Sequence, residues 1–254
     1  MNAGVCSISF RGHAIEAVAR AAAEAQLAGV EWGGDIHVPP GDFSAAERAL
    51  DACRRFGLAV SSYGSYYRAG SDDGRWFEQV LQTAQALQAP CIRVWAGVLG
   101  SADAGPNQRR QVADDLRRCS DDAARDGIIV ATEFHGQTLC DEAESAARLA
   151  DEVDHPAFRL YWQPPTGPDP AVLQASLRRV GPWLANVHVF EWRLTDGRID
   201  RRPLHEGDAV WPDLLQLAAE APVTQPRWAL LEFMHDDRLE TLPEAAAVLQ
   251  RWLG

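Results

Sequence analysis

Four residues close four short apolar runs, and together they have the makings of a metal site. They are Glu133 in "IIVATEF", Gln163 in "FRLYWQ", His188 in "ANVHVFEW" and Glu232 in "WALLEF". Two carboxylates, an amide oxygen and an imidazole make a mostly oxygen donor set. Such a set suits Mn²⁺ or Mg²⁺, and its imidazole also admits Co²⁺ or Zn²⁺. Gln163 is followed at once by Pro164 and Pro165, an odd place for an amide. As a neutral oxygen ligand it would hold an ion without a third negative charge, leaving the ion a stronger Lewis acid. The two-residue period of a strand puts His135 on the same face as Glu133. His37 follows the apolar run "GVEWGG". Trp95 and Trp162 also stand at run ends, where an aromatic face either stacks on a sugar ring or packs the core. Singly, each of these positions has a bland reading: a strand-end acid commonly caps a helix, and a lone His is commonly structural. Four donors in register on successive runs carry more weight than any one of them.

One absence narrows the chemistry. All 24 basic residues are Arg and none is Lys. Schiff-base chemistry needs a lysine amine, and so does the phosphate-cradling G-x-x-x-x-G-K-[ST] loop. An electrophile in this chain must be something else, and a metal ion is the natural candidate.

The elements that position these residues alternate regularly. Strand-like runs are read at 4–10, 29–34, 58–67, 91–97, 128–134, 158–163, 185–192 and 228–233. Helical patterns are read at 13–28, 44–56, 76–87, 108–125, 141–153, 170–179, 210–221 and 243–253. Ser44 with Glu47 reads as a capping box, and Asp141 with Glu144 as the cap of the fifth helix. Eight such pairs in one chain of 254 residues fit a single α/β domain spanning 1–254, a (β/α)8 TIM barrel. No G-x-G-x-x-G follows any strand, which argues against an open dinucleotide-binding sheet. The stretch 193–209 reads as a long irregular loop after the seventh strand, and long loops in compact domains are often functional.

Composition sets further bounds. The net charge is -12, which argues against a nucleic-acid partner and against docking on an anionic membrane. Five cysteines without C-x-x-C spacing are expected to be reduced thiols in a cytoplasmic protein. The opening "MNAGVCSISFRGHA" has no charged segment followed by an apolar one, so no secretory leader is expected. A homodimer is the default expectation for assembly.

The chain resembles the xylose isomerase-like TIM-barrel superfamily, the sugar phosphate isomerase/epimerase family. The resemblance rests on "ATEFHG", "YWQP", "NVHVFEW" and "LLEF", with "DIHVPPGD" and "RVWAG" familiar from one branch. It implies that Glu133, Gln163, His188 and Glu232 ligate the metal and that Glu133 and Glu232 act as acid and base. The implied reaction passes through a cis-enediolate of an α-hydroxy carbonyl sugar, giving epimerisation or isomerisation. It implies that Arg193 contacts substrate, while His37, Trp95, His135 and Trp162 are candidate substrate-binding residues from their places at or near strand ends. Two departures stand out: the family's epimerases carry Asp where this chain has Gln163, and His where it has Thr166. The alternatives are a metal-dependent lyase or dehydratase of a keto-sugar or inosose-like substrate, with His135 or His37 as general acid, and a non-catalytic sugar- or metal-binding barrel. Asp236 and Asp237 after the eighth strand would repel a phosphate, so an unphosphorylated substrate is expected.

Overall fold

Why these runs become strands of one closed sheet is visible in their composition. Most are apolar on both faces, as a parallel strand covered by helices requires. The computed structural model describes residues 1–71, 73–165, 169–222 and 225–254. Its barrel strands are β1 (Asn2–Cys6), β2 (Gly29–Gly33), β3 (Ala59–Arg68), β4 (Cys91–Trp95), β5 (Ile129–Glu133), β6 (Phe158–Trp162), β7 (Leu184–Val189) and, later in the chain, β10 (Trp228–Leu231). They are parallel and close into a barrel in the order β1-β10-β7-β6-β5-β4-β3-β2. Among the described residues eight helices clothe it: α1 (Ile15–Glu24), α2 (Phe43–Phe56), α3 (Gly74–Leu87), α4 (Pro106–Ala124), α5 (Ala143–Val153), α6 (Pro170–Val180), α7 (Trp211–Glu220) and α8 (Leu242–Leu253). This is the (β/α)8 TIM barrel read from the alternation.

Two cores result. The larger lies between strands and helices. The smaller fills the barrel interior, with Cys91, Ile129, Ala131, Tyr161, Trp228 and Leu230 among its members. Trp228 plugs the lower end because Gly29 leaves it room: a Cβ there would stand 2.7 Å from both the Trp228 ring and the Ala59 carbonyl.

Three local expectations are corrected. The first turn of α2 is capped by Asp42, which accepts from the Ala45 amide at 2.9 Å, while Ser44 accepts from Arg48. Asp141 does not cap α5; its Oδ2 accepts from the Ser101 amide at 2.9 Å and ties the loop after β4 to the loop after β5. The stretch 193–209 is not wholly irregular. It carries most of an antiparallel hairpin, β8 (Glu191–Thr195) and β9 (Arg198–Arg202). Its two-residue turn is Asp196–Gly197, with φ of 51° and 73°. Positive φ at both positions is the turn that suits strand twist, and Asp-Gly is its signal in sequence.

Candidate metal centre and active site

The upper interior layer of the barrel is polar, and every member comes from a strand or its end. Glu31 enters from β2, Ser62 from β3, Arg93 from β4, Glu133 from β5 and His188 from β7. Gln163 follows β6 and Glu232 follows β10. Glu31, Arg93, Glu133, His188 and Glu232 are all buried. Charges are buried at such a place only when they find partners.

His188 is the centre of the arrangement. Its Nδ1 lies 3.0 Å from Glu232 Oε2, 3.1 Å from Gln163 Oε1 and 3.5 Å from Glu133 Oε1. Three oxygens thus converge on one ring nitrogen, which carries at most one proton. Glu232 Oε2 and His188 Nε2 are buried without a hydrogen-bond partner among the described residues. This is a donor set with more acceptors than protons, and one divalent ion among the four donors satisfies it. The carboxylates of Glu133 and Glu232 and the His188 ring lie close enough together to share an ion. Gln163 is oriented by donating from Nε2 to the Phe134 carbonyl at 2.5 Å, which turns its Oε1 toward His188.

Beneath this set runs an ion-pair chain. Arg93 donates from Nε to Glu31 Oε1 at 2.9 Å and from Nη1 to Glu133 Oε2. Ser62 donates to Glu31 Oε2 at 2.7 Å, and Trp95 Nε1 donates to Glu133 Oε2 at 2.6 Å. Gly64 makes the crossing feasible: a Cβ there would meet Arg93 Nη2 at 2.7 Å and Glu31 Oε1 at 2.8 Å. Three carboxylates against one guanidinium leave a formal charge of about -2 with a neutral imidazole, which a divalent ion balances.

The electrostatics separate the two candidate acid/base residues. Burial pushes the Glu133 carboxyl up, but Arg93, with His188 and Trp95 adding to it, overrides this and holds it at about 2. Burial also pushes Glu232 up, and His188 only partly offsets this, so Glu232 stays above the usual carboxylate range. Burial disfavours a charged His188, yet Glu232 and the other anions around it hold its proton well beyond the ordinary range.

The mouth is aromatic. A cavity of about 380 Å³ is lined by His135, Gln163, Phe190, Trp192, Ile199 and Phe233 among others. Phe190, Trp192 and Phe233 pack on one another with centroids 4.3–5.7 Å apart. His135 lies 4.6 Å from the Trp95 ring, and its Nδ1 is 2.7 Å from the Gly136 carbonyl, which leaves Nε2 as the other functional atom of the ring.

The predicted site residues fall into two groups. Glu133, Gln163, His188 and Glu232 are brought together, with Trp95 and His135 at their edge. Trp162, Arg193 and His37 are not. Trp162 is buried on the helix side, donating to Ser176 on α6 at 3.0 Å and packing edge-on against Trp211 of α7. The two-residue period that turns Gln163 inward turns Trp162 outward. Arg193 sits on the hairpin, with 51% of its side chain exposed, and pairs with Glu206 at 2.7 Å. His37 packs edge-on against Trp32, its Nε2 3.1 Å from the His13 carbonyl. Thr166 lies outside the described residues. Sequence reasoning passed over Glu31 and Arg93. The signal was there: a charged residue inside an apolar strand, "GVEWGG" and "CIRVWAG", of opposite sign in the two.

Comparison with known proteins follows the same lines. A family model described as xylose isomerase-like TIM barrel matches residues 19–253. A 3-dehydroshikimate dehydratase from Bacillus anthracis is 25% identical over 248 residues, covering 85% of this chain and 86% of that protein. The crystal structure of the probable 3-DHS dehydratase of Bacillus anthracis superposes with a TM-score of 0.82 at 22% identity, covering 98% of this chain and 99% of that one. A xylose isomerase-like TIM barrel protein from Mycobacterium smegmatis, solved in complex with magnesium, gives 0.71 at 16% identity over 100% of this chain and 98% of the other. A D-psicose 3-epimerase, solved in the presence of D-fructose, gives 0.73 at 13% identity over the full length of both. At such identities the structural likenesses speak for the fold.

Proposed function

The chain belongs to the xylose isomerase-like TIM barrel family, and from that premise we propose that it is a divalent-metal-dependent lyase. The reaction is loss of water from a small, unphosphorylated cyclic hydroxy-ketone acid of the 3-dehydroshikimate kind. One observation carries the choice of lyase over epimerase: the two glutamates are not equivalent. An epimerase working with two bases needs a mobile proton on both. Glu133 Oε2 accepts from both Arg93 and Trp95, and the carboxylate is held ionised. It is a fixed ligand. Glu232 pairs only with His188 among the described residues, and it is the carboxyl raised toward neutrality, as a proton carrier requires. The 25% identical dehydratase supports the same reading.

Glu133, Gln163, His188 and Glu232 are the residues that would hold the ion, which when bound supplies Lewis-acid polarisation of the substrate carbonyl. Glu232 takes the proton from the carbon next to that carbonyl. The electron pair forms the new carbon–carbon double bond as the C–O bond of the β-hydroxyl breaks. His135, on the cavity wall, gives the departing hydroxyl a proton, so water leaves. The resulting dienone becomes aromatic by tautomerisation, a ring carbon losing a proton and the carbonyl oxygen gaining one, and the two residues return to their starting states by exchange with solvent. Phe190, Trp192 and Phe233 offer a flat apolar face to the ring. Three arginines after β7 are already paired, Arg193 and Arg202 with Glu206 and Arg201 with Asp237, which disfavours a phosphate clamp.

The test is turnover by Mn²⁺-loaded protein of 3-dehydroshikimate beside a panel of ketoses. The proposal expects the ultraviolet absorbance of a dihydroxybenzoate to grow in, with no deuterium entering the ketoses in D₂O. Ketose labelling without aromatic product would restore the isomerase/epimerase reading. Neither signal from the metal-loaded protein would leave a binding barrel.

A further inference from the structure

We propose that Glu31, assisted by Cys6, is a positioning residue that fixes the ring orientation and tautomer of His188 for metal binding. The inference rests on the four-donor metal site of the functional reading, not on the substrate.

Nδ1 of His188 faces Gln163, Glu133 and Glu232 at 3.0–3.5 Å. An ion held by these residues needs the Nδ1 lone pair, so the ring proton must move to Nε2. That atom is fully buried and has no hydrogen-bond partner within 3.5 Å among the described residues. Two acceptors lie within reach of it: Glu31 Oε1 at 3.6 Å and the Cys6 thiol, which belongs with Glu31 and His188 to one buried cluster. Metal-binding histidines nearly always donate their second ring N–H to a carboxylate or carbonyl, which fixes the tautomer and raises ligand basicity. Glu31 is placed for that service.

Glu31 is itself held. Ser62 fixes Oε2 at 2.7 Å and Arg93 reaches Oε1 at 2.9 Å. Arg93 continues to Glu133, a ligand on the far side of the ion site. The chain Ser62–Glu31–Arg93–Glu133 therefore couples the orientation of two ligands from beneath, through a residue that touches neither substrate nor ion. Gly64 leaves just enough room for it. Ser62 and Arg93 account for the burial of the Glu31 charge; what they leave over is its Oε1, which faces His188 Nε2 at 3.6 Å.

The test is Mn²⁺ affinity, by titration of metal-stripped protein, for the native chain, Glu31→Gln and, as a surface control, Glu144→Gln. The proposal expects Glu31→Gln to weaken Mn²⁺ binding about 10- to 100-fold, with Glu144→Gln unchanged. A merely structural Glu31 would lower the thermal midpoint of the stripped protein and leave the Mn²⁺ dissociation constant where it was, and that result overturns the proposal. If Glu31→Gln does not fold, the native protein decides: ¹⁵N shifts of His188 in the Mg²⁺-loaded form should report a protonated Nε2 and a bare Nδ1. The opposite tautomer also overturns it. A native protein that binds no divalent ion at all refutes the metal site itself, and with it the inference, an outcome distinct from a Glu31 variant that binds as tightly as native.

Discussion

Replacing Arg93 with Met removes the guanidinium that bridges Glu31 and Glu133. The swap keeps much of the volume and deletes both charge-assisted contacts. Breaking a buried ion pair from one side costs about 3–5 kcal/mol, because the partner charge is left buried and unpaired. For a chain of this size each kcal/mol moves the thermal midpoint by about 2–4 °C. The metal-free variant is therefore expected to melt roughly 6–20 °C below the native protein at pH 7. The gap must also depend on pH. In the native protein Arg93 holds Glu133 at about 2, below its ordinary 4.5. A carboxyl depressed on folding contributes stability that is present above its unfolded value and lost as the pH falls through its folded value. Without Arg93, burial pushes Glu31 and Glu133 up against only His188, Ser62 and Trp95, so in the variant they take up protons at higher pH than in the native protein, and low pH relieves the unpaired charge. The native advantage should narrow steadily from pH 7 toward pH 4. Circular dichroism melts of stripped protein across that range check it. Lys at this position should restore the melt only in part, since one ammonium cannot reproduce a fork that reaches two carboxylates from different nitrogens. A drop under about 2 °C, or a gap constant with pH, would refute the reasoning.

Other expectations follow from the same geometry. Gly64→Ala puts a methyl 2.7 Å from Arg93 Nη2; calorimetry should show a loss of about 1–3 kcal/mol, with Mn²⁺ affinity reduced because the chain beneath the ligands shifts. Trp162→Phe loses the Ser176 bond and should lower the thermal midpoint while leaving KM within about twofold, as a residue facing the helices must. Arg193→Ala should leave both kcat and KM near native values, since its partner is Glu206 on the hairpin side.

How much of this was legible beforehand depends on the range of the interaction. The barrel was, because alternation and strand length are local properties of the chain. The convergence of Glu133, Gln163, His188 and Glu232 was too, because each closes a run and neighbouring strands bring run ends together. Trp162 was legible in principle: it and Gln163 are adjacent, so both cannot face inward. The hairpin was announced by Asp196–Gly197 and was overlooked inside a stretch rich in charge. Arg93 with Glu31 and Glu133 was harder. Its partners lie 62 and 40 residues away, and only closure of the barrel sets the three side by side. A charge in an apolar strand says that a partner exists, not which one.

The central claim is that Glu232 moves the proton and Glu133 does not. The most direct test follows deuterium entering the carbon next to the carbonyl of 3-dehydroshikimate in D₂O, read by mass spectrometry. Native protein, Glu133→Gln and Glu232→Gln are compared, each saturated with Mn²⁺. Both amides keep an oxygen for the ion, so the comparison isolates proton transfer. The account predicts exchange retained in Glu133→Gln and reduced at least 100-fold in Glu232→Gln. Exchange lost in Glu133→Gln and kept in Glu232→Gln would contradict it.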